Sequence, residues 1–283
     1  MNHIVITPVF NEAKYLGAFI ESIKRQTNRP QKLILVDDNS TDDSARIIKQ
    51  FCTENDWIQY VFHASEKRKS QGKKVINAFN FGLEYVDISS VDYISKLDSD
   101  LELPDNYFSE ISKTFSDPKV GIAGGVICER DATGKWVRIP QAYYHVRGAL
   151  KSYRVSCFKE IGGIQAVLGW DGLDEMTAIY LGWKTKVINE GVNHFRPASQ
   201  DYDLVKLNFE LGFANWKNGR NFFLAIVRSV KSLKKKPYGR VSLAFMRGYV
   251  AGMRSGEQRN VTPELAKFIN SFHLKRMFGI KHF

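Results

Sequence analysis

Residues 4–12, Ile4-Val5-Ile6-Thr7-Pro8-Val9-Phe10-Asn11-Glu12, and residues 33–42, Leu33-Ile34-Leu35-Val36-Asp37-Asp38-Asn39-Ser40-Thr41-Asp42, decide the fold. Each opens with a short apolar run rich in β-branched residues that reads as a buried strand, and each run stops at a polar loop. After the first loop, Leu16, Phe19, Ile20 and Ile23 recur at helical spacing between Lys14 and Arg25. After the second, helix-capping residues lead into a helix from Ser44 to Phe51. Tyr60 to Phe62 reads as a third strand, Lys73 to Val86 as a helix, and Tyr93 to Leu97 as a strand that ends at Asp98. This alternation predicts an α/β fold with a mainly parallel sheet flanked by helices. Ligands of such sheets bind beyond the carboxyl ends of the strands, so Pro8 to Glu12, Asp37 with Asp38, and Asp98-Ser99-Asp100 are expected at one edge.

Past Val120 the pattern loosens. Gly121, Gly124 and Gly125 suggest tight backbone approach, Gly162 to Asp174 reads as a loop, Met176 to Leu181 as a helix, Lys186 to Ile188 as a strand and Asn208 to Lys234 as mostly helical. A chain of 283 residues with 43% hydrophobic and 13% aromatic content buries one large core, or a core plus a small appendage, which excludes a disordered chain. Apolar runs such as Phe222 to Val227 fall far short of a membrane span, and the first residues lack the basic and apolar regions of a signal peptide. A cytoplasmic protein is expected. Cys52, Cys128 and Cys157 are odd in number and have no CxxC spacing, so they read as structural thiols.

The net charge of +11 suggests a nucleic-acid binder until its distribution is examined. Residues 1–203 carry 25 Lys/Arg against 27 Asp/Glu, whereas residues 204–283 carry 16 against 3. The chain divides into a near-neutral body, residues 1–203, and a basic, mostly helical C-terminal region, residues 204–283.

Asp98-x-Asp100 at a strand end is the sharpest local feature. Two carboxylates one residue apart suit a hard cation that also takes diphosphate oxygens, and such a cation neutralises charge on a departing diphosphate. Taken with Ile6 to Glu12 and Leu35 to Asp42, with Gly72-Lys73 and Asn80-x-Gly82, and with Gly169-Trp170-Asp171-Gly172-Leu173-Asp174-Glu175, the chain resembles the family 2 glycosyltransferases over roughly residues 1–200.

The resemblance implies the GT-A fold, with a mixed, mainly parallel sheet, and an inverting transfer of sugar from a nucleotide diphosphate donor, a UDP-sugar first among them, with Mn2+ or Mg2+ as cofactor. The acceptor would be a hydroxyl of a glycan or lipid-linked molecule, in assembly of a surface polysaccharide or glycolipid. It further implies that Pro8, Phe10, Glu12, Asp37, Asp38, Lys73, Asp98 and Ser99 line the donor site. One carboxylate of Asp37 or Asp38 would accept from the base N3–H, a role for which an acceptor-only group is suited. Asp98 and Asp100 would bind metal, with His194 of Asn193-His194-Phe195-Arg196-Pro197 as a third ligand. Asp174 is the expected general base, with Asp171 and Glu175 as competitors. His3, His63, His145, His273 and His282 show no partner pattern.

In the basic region, Phe222, Phe223, Ile226, Val227 and Val230 lie near one helical face, with Arg220, Arg228, Lys231 and Lys234 to Lys236 around it. That pattern fits either a helix lying on an anionic membrane surface, which would make the protein peripheral on the inner face, or one packed on the core. Two other readings remain. A sugar-nucleotide nucleotidyltransferase normally starts with a Gly-rich basic loop, which Thr7 to Glu12 is not. A non-catalytic basic module binding membrane or nucleic acid leaves the acidic crevice unexplained, so no nucleic acid is expected.

Overall fold

The protein is described from a computed structural model over residues 1–65, 72–196, 203–233 and 237–280. The first half alternates as expected: β1 (His3–Val9), α1 (Ala13–Lys24), β2 (Lys32–Asp37), α2 (Ser44–Glu54), β3 (Ile58–Phe62), α3 (Lys73–Leu83) and β4 (Tyr93–Leu97). There follow β5 (Leu101–Glu102), α4 (Tyr107–Thr114), β6 (Val120–Arg130), β7 (Trp136–Arg138), β8 (Leu150–Arg154), α5 (Val155–Glu160), α6 (Trp170–Tyr180) and β9 (Lys184–His194). The last helices are α7 (Leu204–Lys217), α8 (Phe222–Ser232), α9 (Arg240–Arg254) and α10 (Pro263–Met277).

Among the described residues nine strands form one sheet in the order β3-β2-β1-β4-β8-β6-β9-β5, with β7 paired to β6. Its β3-β2-β1-β4 half is parallel, and from β4 onward antiparallel pairs enter through β8. The sheet is therefore mixed and flanked by helices, as the resemblance implies. Leu16, Phe19, Ile20 and Ile23 are the buried face of α1, which accounts for their helical spacing. Helix α3 lies so close to the sheet that a Cβ on Gly82 would stand 2.7 Å from both Ile6 and Val36 side chains. The glycines of β6 serve the same end, because a Cβ on Gly124 would meet the Leu150 carbonyl at 2.3 Å and one on Gly125 the Glu190 carbonyl at 2.6 Å.

Two segments differ from the sequence reading. The stretch read as a loop to Asp174 enters a helix at Trp170, so Asp171 and Asp174 stand on α6 one turn apart. The long helical region after Asn208 is two helices, parted where Gly219 adopts φ +83°. Cys128 and Cys157 are buried and all three cysteines are free thiols. Among the described residues no helix is long and apolar enough to cross a membrane.

The chain forms two compact units, one of Met1–Ala166 with Trp170–Ala198, the other of Val167–Gly169 with Ser199–Phe283. Within the second, α7 and α9 touch backbone to backbone. A Cβ on Gly212 would stand 1.9 Å from the Phe245 carbonyl oxygen, and one on Gly248 1.9 Å from that of Phe209. Ala225, Phe245 and Tyr249 form the buried centre of this unit.

Candidate functional site

The loops after β1 and β2 are tied into one platform at the carboxyl edge of the parallel strands. Asn11 and Asn39 adopt φ of 56° and 64°, a conformation that asparagine tolerates better than most residues. The Asn11 side chain accepts from Thr41 N–H at 2.7 Å, Ser40 Oγ accepts from Asn11 N–H at 3.1 Å, and Ser44 Oγ accepts from Glu12 N–H at 2.9 Å.

The two carboxylates of the second loop have different duties. Asp37 accepts from Ser40 N–H at 2.9 Å and from the Tyr60 hydroxyl at 3.0 Å, which occupies both of its oxygens. Burial, then the bond to Asp37, pushes the Tyr60 hydroxyl up to about 12, so it stays a donor. Asp38 places Oδ1 2.7 Å from His63 Nδ1, and among the described residues its Oδ2 has no partner. His63, which has no partner pattern in the sequence, sits just past β3 with its ring 4.6 Å from that of Phe81. Its position one residue beyond a strand end was the available signal.

Of the other first-loop residues, Pro8 is buried within β1 while Phe10 is exposed at the rim. Lys73 is exposed at the start of α3, and it is the neighbouring Lys74 whose ammonium lies 5.5 Å from the Phe10 ring. Glu12 is buried and its carboxylate pairs with Arg196. Burial, and then the charge of Asp100, push Glu12 up to about 7 against the pull of Arg196.

Asp98, Asp100 and His194 come together although nearly a hundred residues separate them. Strand β9 returns beside β5 with Leu101 opposite His194, which brings the imidazole to the end of the Asp98-Ser99-Asp100 turn. One ligand atom from each of the three residues lies within 4.8 Å of the other two. His194 Nε2 is 3.4 Å from Asp100 Oδ1, and its Nδ1 faces Glu129 at 3.9 Å. Burial is the largest influence and opposes a charge on His194, but the bond to Asp100 and the charges of Asp100, Asp98 and Glu129 together outweigh it and raise its pKa. Two carboxylates and an imidazole are a donor set that fits Mn2+, and Mg2+ through the carboxylates. A carboxylate facing the outer ring nitrogen is the usual support for a ligating histidine. Ser99 is buried in the turn, and Arg196 Nε reaches Asp100 Oδ2 at 3.5 Å.

Behind this turn, Lys96 on β4 and Lys151 on β8 stand directly opposite each other, both buried. Like charges so placed repel, and each is answered separately. The Lys96 ammonium bonds Asp98 and, at 3.0 Å, the Gly148 carbonyl. Lys151 bonds both oxygens of Asp174 at 2.8 and 3.0 Å and lies 3.1 Å from Glu175. The Trp170 ring lies 5.4 Å from the Lys96 ammonium and 5.5 Å from that of Lys151.

Asp174, the base expected from the sequence, is thus enclosed. Besides Lys151 it accepts from the Tyr153 hydroxyl at 2.5 Å and from Glu175 N–H at 2.6 Å. Burial pushes its carboxyl up to about 6, with Lys151 opposing, while burial of Lys151 is outweighed by Asp174 and Glu175, which raise the lysine. Glu175 accepts from Val146 N–H at 2.7 Å and faces His145 Nδ1 at 2.9 Å, a pairing the sequence did not suggest. Asp171, in the first turn of α6, is half-buried and lies against Gly148, where an added Cβ would come 3.1 Å from its own. Gly148 also carries the carbonyl bonded by Lys96.

A family model described as glycosyl transferase family 2 matches residues 4–165. A GalNAc(5)-diNAcBac-PP-undecaprenol beta-1,3-glucosyltransferase of Campylobacter jejuni is 28% identical over 127 residues, 45% of this chain and 38% of that protein. The chain thus spans under two fifths of that relative's length. Among solved structures, the mannosyltransferase PcManGT of Pyrobaculum calidifontis, in complex with GDP-Man and Mn2+, matches 90% of this chain and 88% of its own, with TM-score 0.61 and 14% identity. TarS 1–349 of S. aureus, in complex with UDP-GlcNAc, matches 93% of this chain and 77% of its own, with TM-score 0.56 and 16% identity. These likenesses show the GT-A fold. The family match runs over more than half of the chain and through the strands and loops that build the acidic edge, and by it the chain belongs to glycosyl transferase family 2.

Proposed function

We propose that the protein is an inverting, metal-dependent glycosyltransferase that moves a sugar from a nucleotide diphosphate donor, a UDP-sugar, to an acceptor hydroxyl in surface glycan or glycolipid assembly. The observation that carries this reading is the meeting of Asp98, Asp100 and His194 at the same sheet edge as the open carboxylate oxygen of Asp38. Asp38 accepts from the base N3–H, and His63 holds Asp38 in place; Asp37 keeps the loop in shape. Phe10 and Lys73, both exposed, would contact the nucleotide. A divalent cation held by Asp98, Asp100 and His194 would neutralise the charge gathering on the leaving diphosphate.

The proton of the acceptor hydroxyl goes to a carboxylate as its oxygen bonds the anomeric carbon and the sugar–phosphate electron pair leaves with the diphosphate. We assign that proton to Asp171 rather than Asp174. Asp174 has both oxygens engaged inside the protein, whereas Asp171 is half-buried beside Gly148, whose carbonyl shares Lys96 with Asp98. The lipid-linked substrate named for the Campylobacter relative supports a lipid-linked acceptor, which would bring the enzyme to the cytoplasmic face of a membrane.

Comparison of Asp171→Asn with Asp174→Asn tests the assignment. Asp171→Asn should keep donor binding and unfolding temperature while turnover falls by roughly 10²–10⁴. Asp174→Asn should lose stability first. Normal turnover in Asp171→Asn would return the role to another carboxylate.

A further inference from the structure

In the second unit α8 turns most of its large apolar side chains outward. Leu224, Ala225 and Ser229 are buried, and Ser229 Oγ lies 2.6 Å from Ser242 Oγ on α9. Phe222, Phe223, Ile226, Val230 and Leu233 are 48%, 54%, 39%, 57% and 47% exposed. At 3.6 residues per turn these five positions fall within an arc of about 100°. A contiguous apolar ridge of this kind marks an interaction surface.

Charge decides what it meets. Residues 217–259 hold eleven Lys/Arg and a single acidic residue, Glu257, which Lys217 already engages at 2.7 Å. A second copy of the chain would bring this excess face to face with itself. An anionic lipid surface offers an apolar layer beneath a negative one, the order in which the ridge and the exposed Lys231 at its flank present themselves.

We propose that the outward face of α8 seats the protein on anionic bilayers, with Phe223, Ile226 and Val230 entering the interfacial layer and Lys231 meeting lipid phosphates. Lys234, Lys235 and Lys236 follow in the sequence and add charge; they lie outside the described residues. The inference rests on the membrane placement proposed above and gives it a surface.

The test is flotation of the full chain without nucleotide sugar, at about physiological ionic strength. One vesicle set is phosphatidylcholine alone and the other an equimolar mixture with phosphatidylglycerol. Wild type should partition at least about tenfold better onto the mixed vesicles. The variant Phe223→Gln, Ile226→Gln, Val230→Gln should lose that binding while unfolding at the wild-type temperature, since all three side chains are exposed. Lys231, Lys234, Lys235 and Lys236 changed to Gln should lose roughly tenfold or more. Equal partition onto both vesicles, no loss in the apolar variant, or a wild-type dimer that the apolar variant dissolves with no change in lipid binding would overturn the proposal. Failure of flotation with metal-dependent donor binding intact would leave the transferase reading standing. Flotation without any donor binding would do the reverse.

Discussion

Lys151→Met should be among the most damaging single substitutions in the first unit, and its cost follows from the geometry. The ammonium is fully buried and lies within 3.1 Å of two carboxylates, Asp174 and Glu175, that are themselves nearly inaccessible to water. Removing one member of a buried ion pair typically costs about 3–5 kcal/mol, because the remaining charge stays buried without its partner. Tyr153, Glu175 N–H and Val146 N–H still serve the carboxylates, which holds the expected loss near the lower end of that range. That corresponds to a fall in Tm on the order of 10 °C for a unit of this size. Burial already raises the Asp174 carboxyl to about 6, and without Lys151 it rises further. The penalty is therefore full above that pKa and shrinks as pH falls through it and Asp174 takes a proton. Urea unfolding followed by tryptophan fluorescence at pH 8 and pH 5 measures both quantities. The double variant Lys151→Met, Asp174→Asn should recover part of the loss at pH 8. A loss below about 1 kcal/mol, or one independent of pH, would show that the lysine is not what holds these carboxylates together.

Gly248→Ala should destabilise the second unit by about 1–3 kcal/mol or more, since its methyl would stand 1.9 Å from the Phe209 carbonyl and α7 and α9 would have to separate; calorimetry with a wild-type-like profile would contradict the packing. For His145, burial is the largest influence and opposes the charge, but the bond to Glu175 and the charges of Glu175 and Asp171 together outweigh it, so its folded pKa is raised. Its contribution is complete below the unfolded value of about 6.5 and is lost as pH rises through the folded value, so stability should decline from pH 6 to 8, by less than about 1 kcal/mol for this partly exposed group. His145→Gln should flatten that decline, and an unchanged pH profile would remove His145 from the account.

The parallel half of the sheet and its acidic edge were legible because β1, β2 and β4 run directly into polar stretches that carry Asn11, Asp37 with Asp38, and Asp98. His194 was legible from its place after a strand, though its strand is eleven residues long rather than three. Lys96 and Lys151 were not. Leu150-Lys151-Ser152-Tyr153-Arg154 has the alternation of a half-exposed strand, and only the helix laid over it by α6 turns its lysine into a buried charge. The same concealment left the choice of base open in the sequence. Asp171, Asp174 and Glu175 are equivalent in sequence, and it takes the opposing β8 side chains to distinguish the half-buried carboxylate from the two enclosed ones. The outward turn of the α8 ridge was also undecided in sequence, because a helical stripe does not reveal which side faces the rest of its unit.

The most direct test of the central claim is thermal unfolding of wild type, Asp98→Ala and Asp100→Ala against a panel of UDP-, GDP-, CMP- and dTDP-sugars, with Mn2+ and with a chelator. At about one hundred times Kd a bound donor stabilises by about 2.7 kcal/mol, a shift of several degrees. The account predicts a shift confined to one nucleotide class, UDP, dependent on Mn2+ and absent from both variants, each measured against its own ligand-free unfolding temperature, which in Asp98→Ala is lowered because buried Lys96 loses its carboxylate. Stabilisation that is the same with chelator as with Mn2+, or that survives in Asp98→Ala and Asp100→Ala, would contradict it.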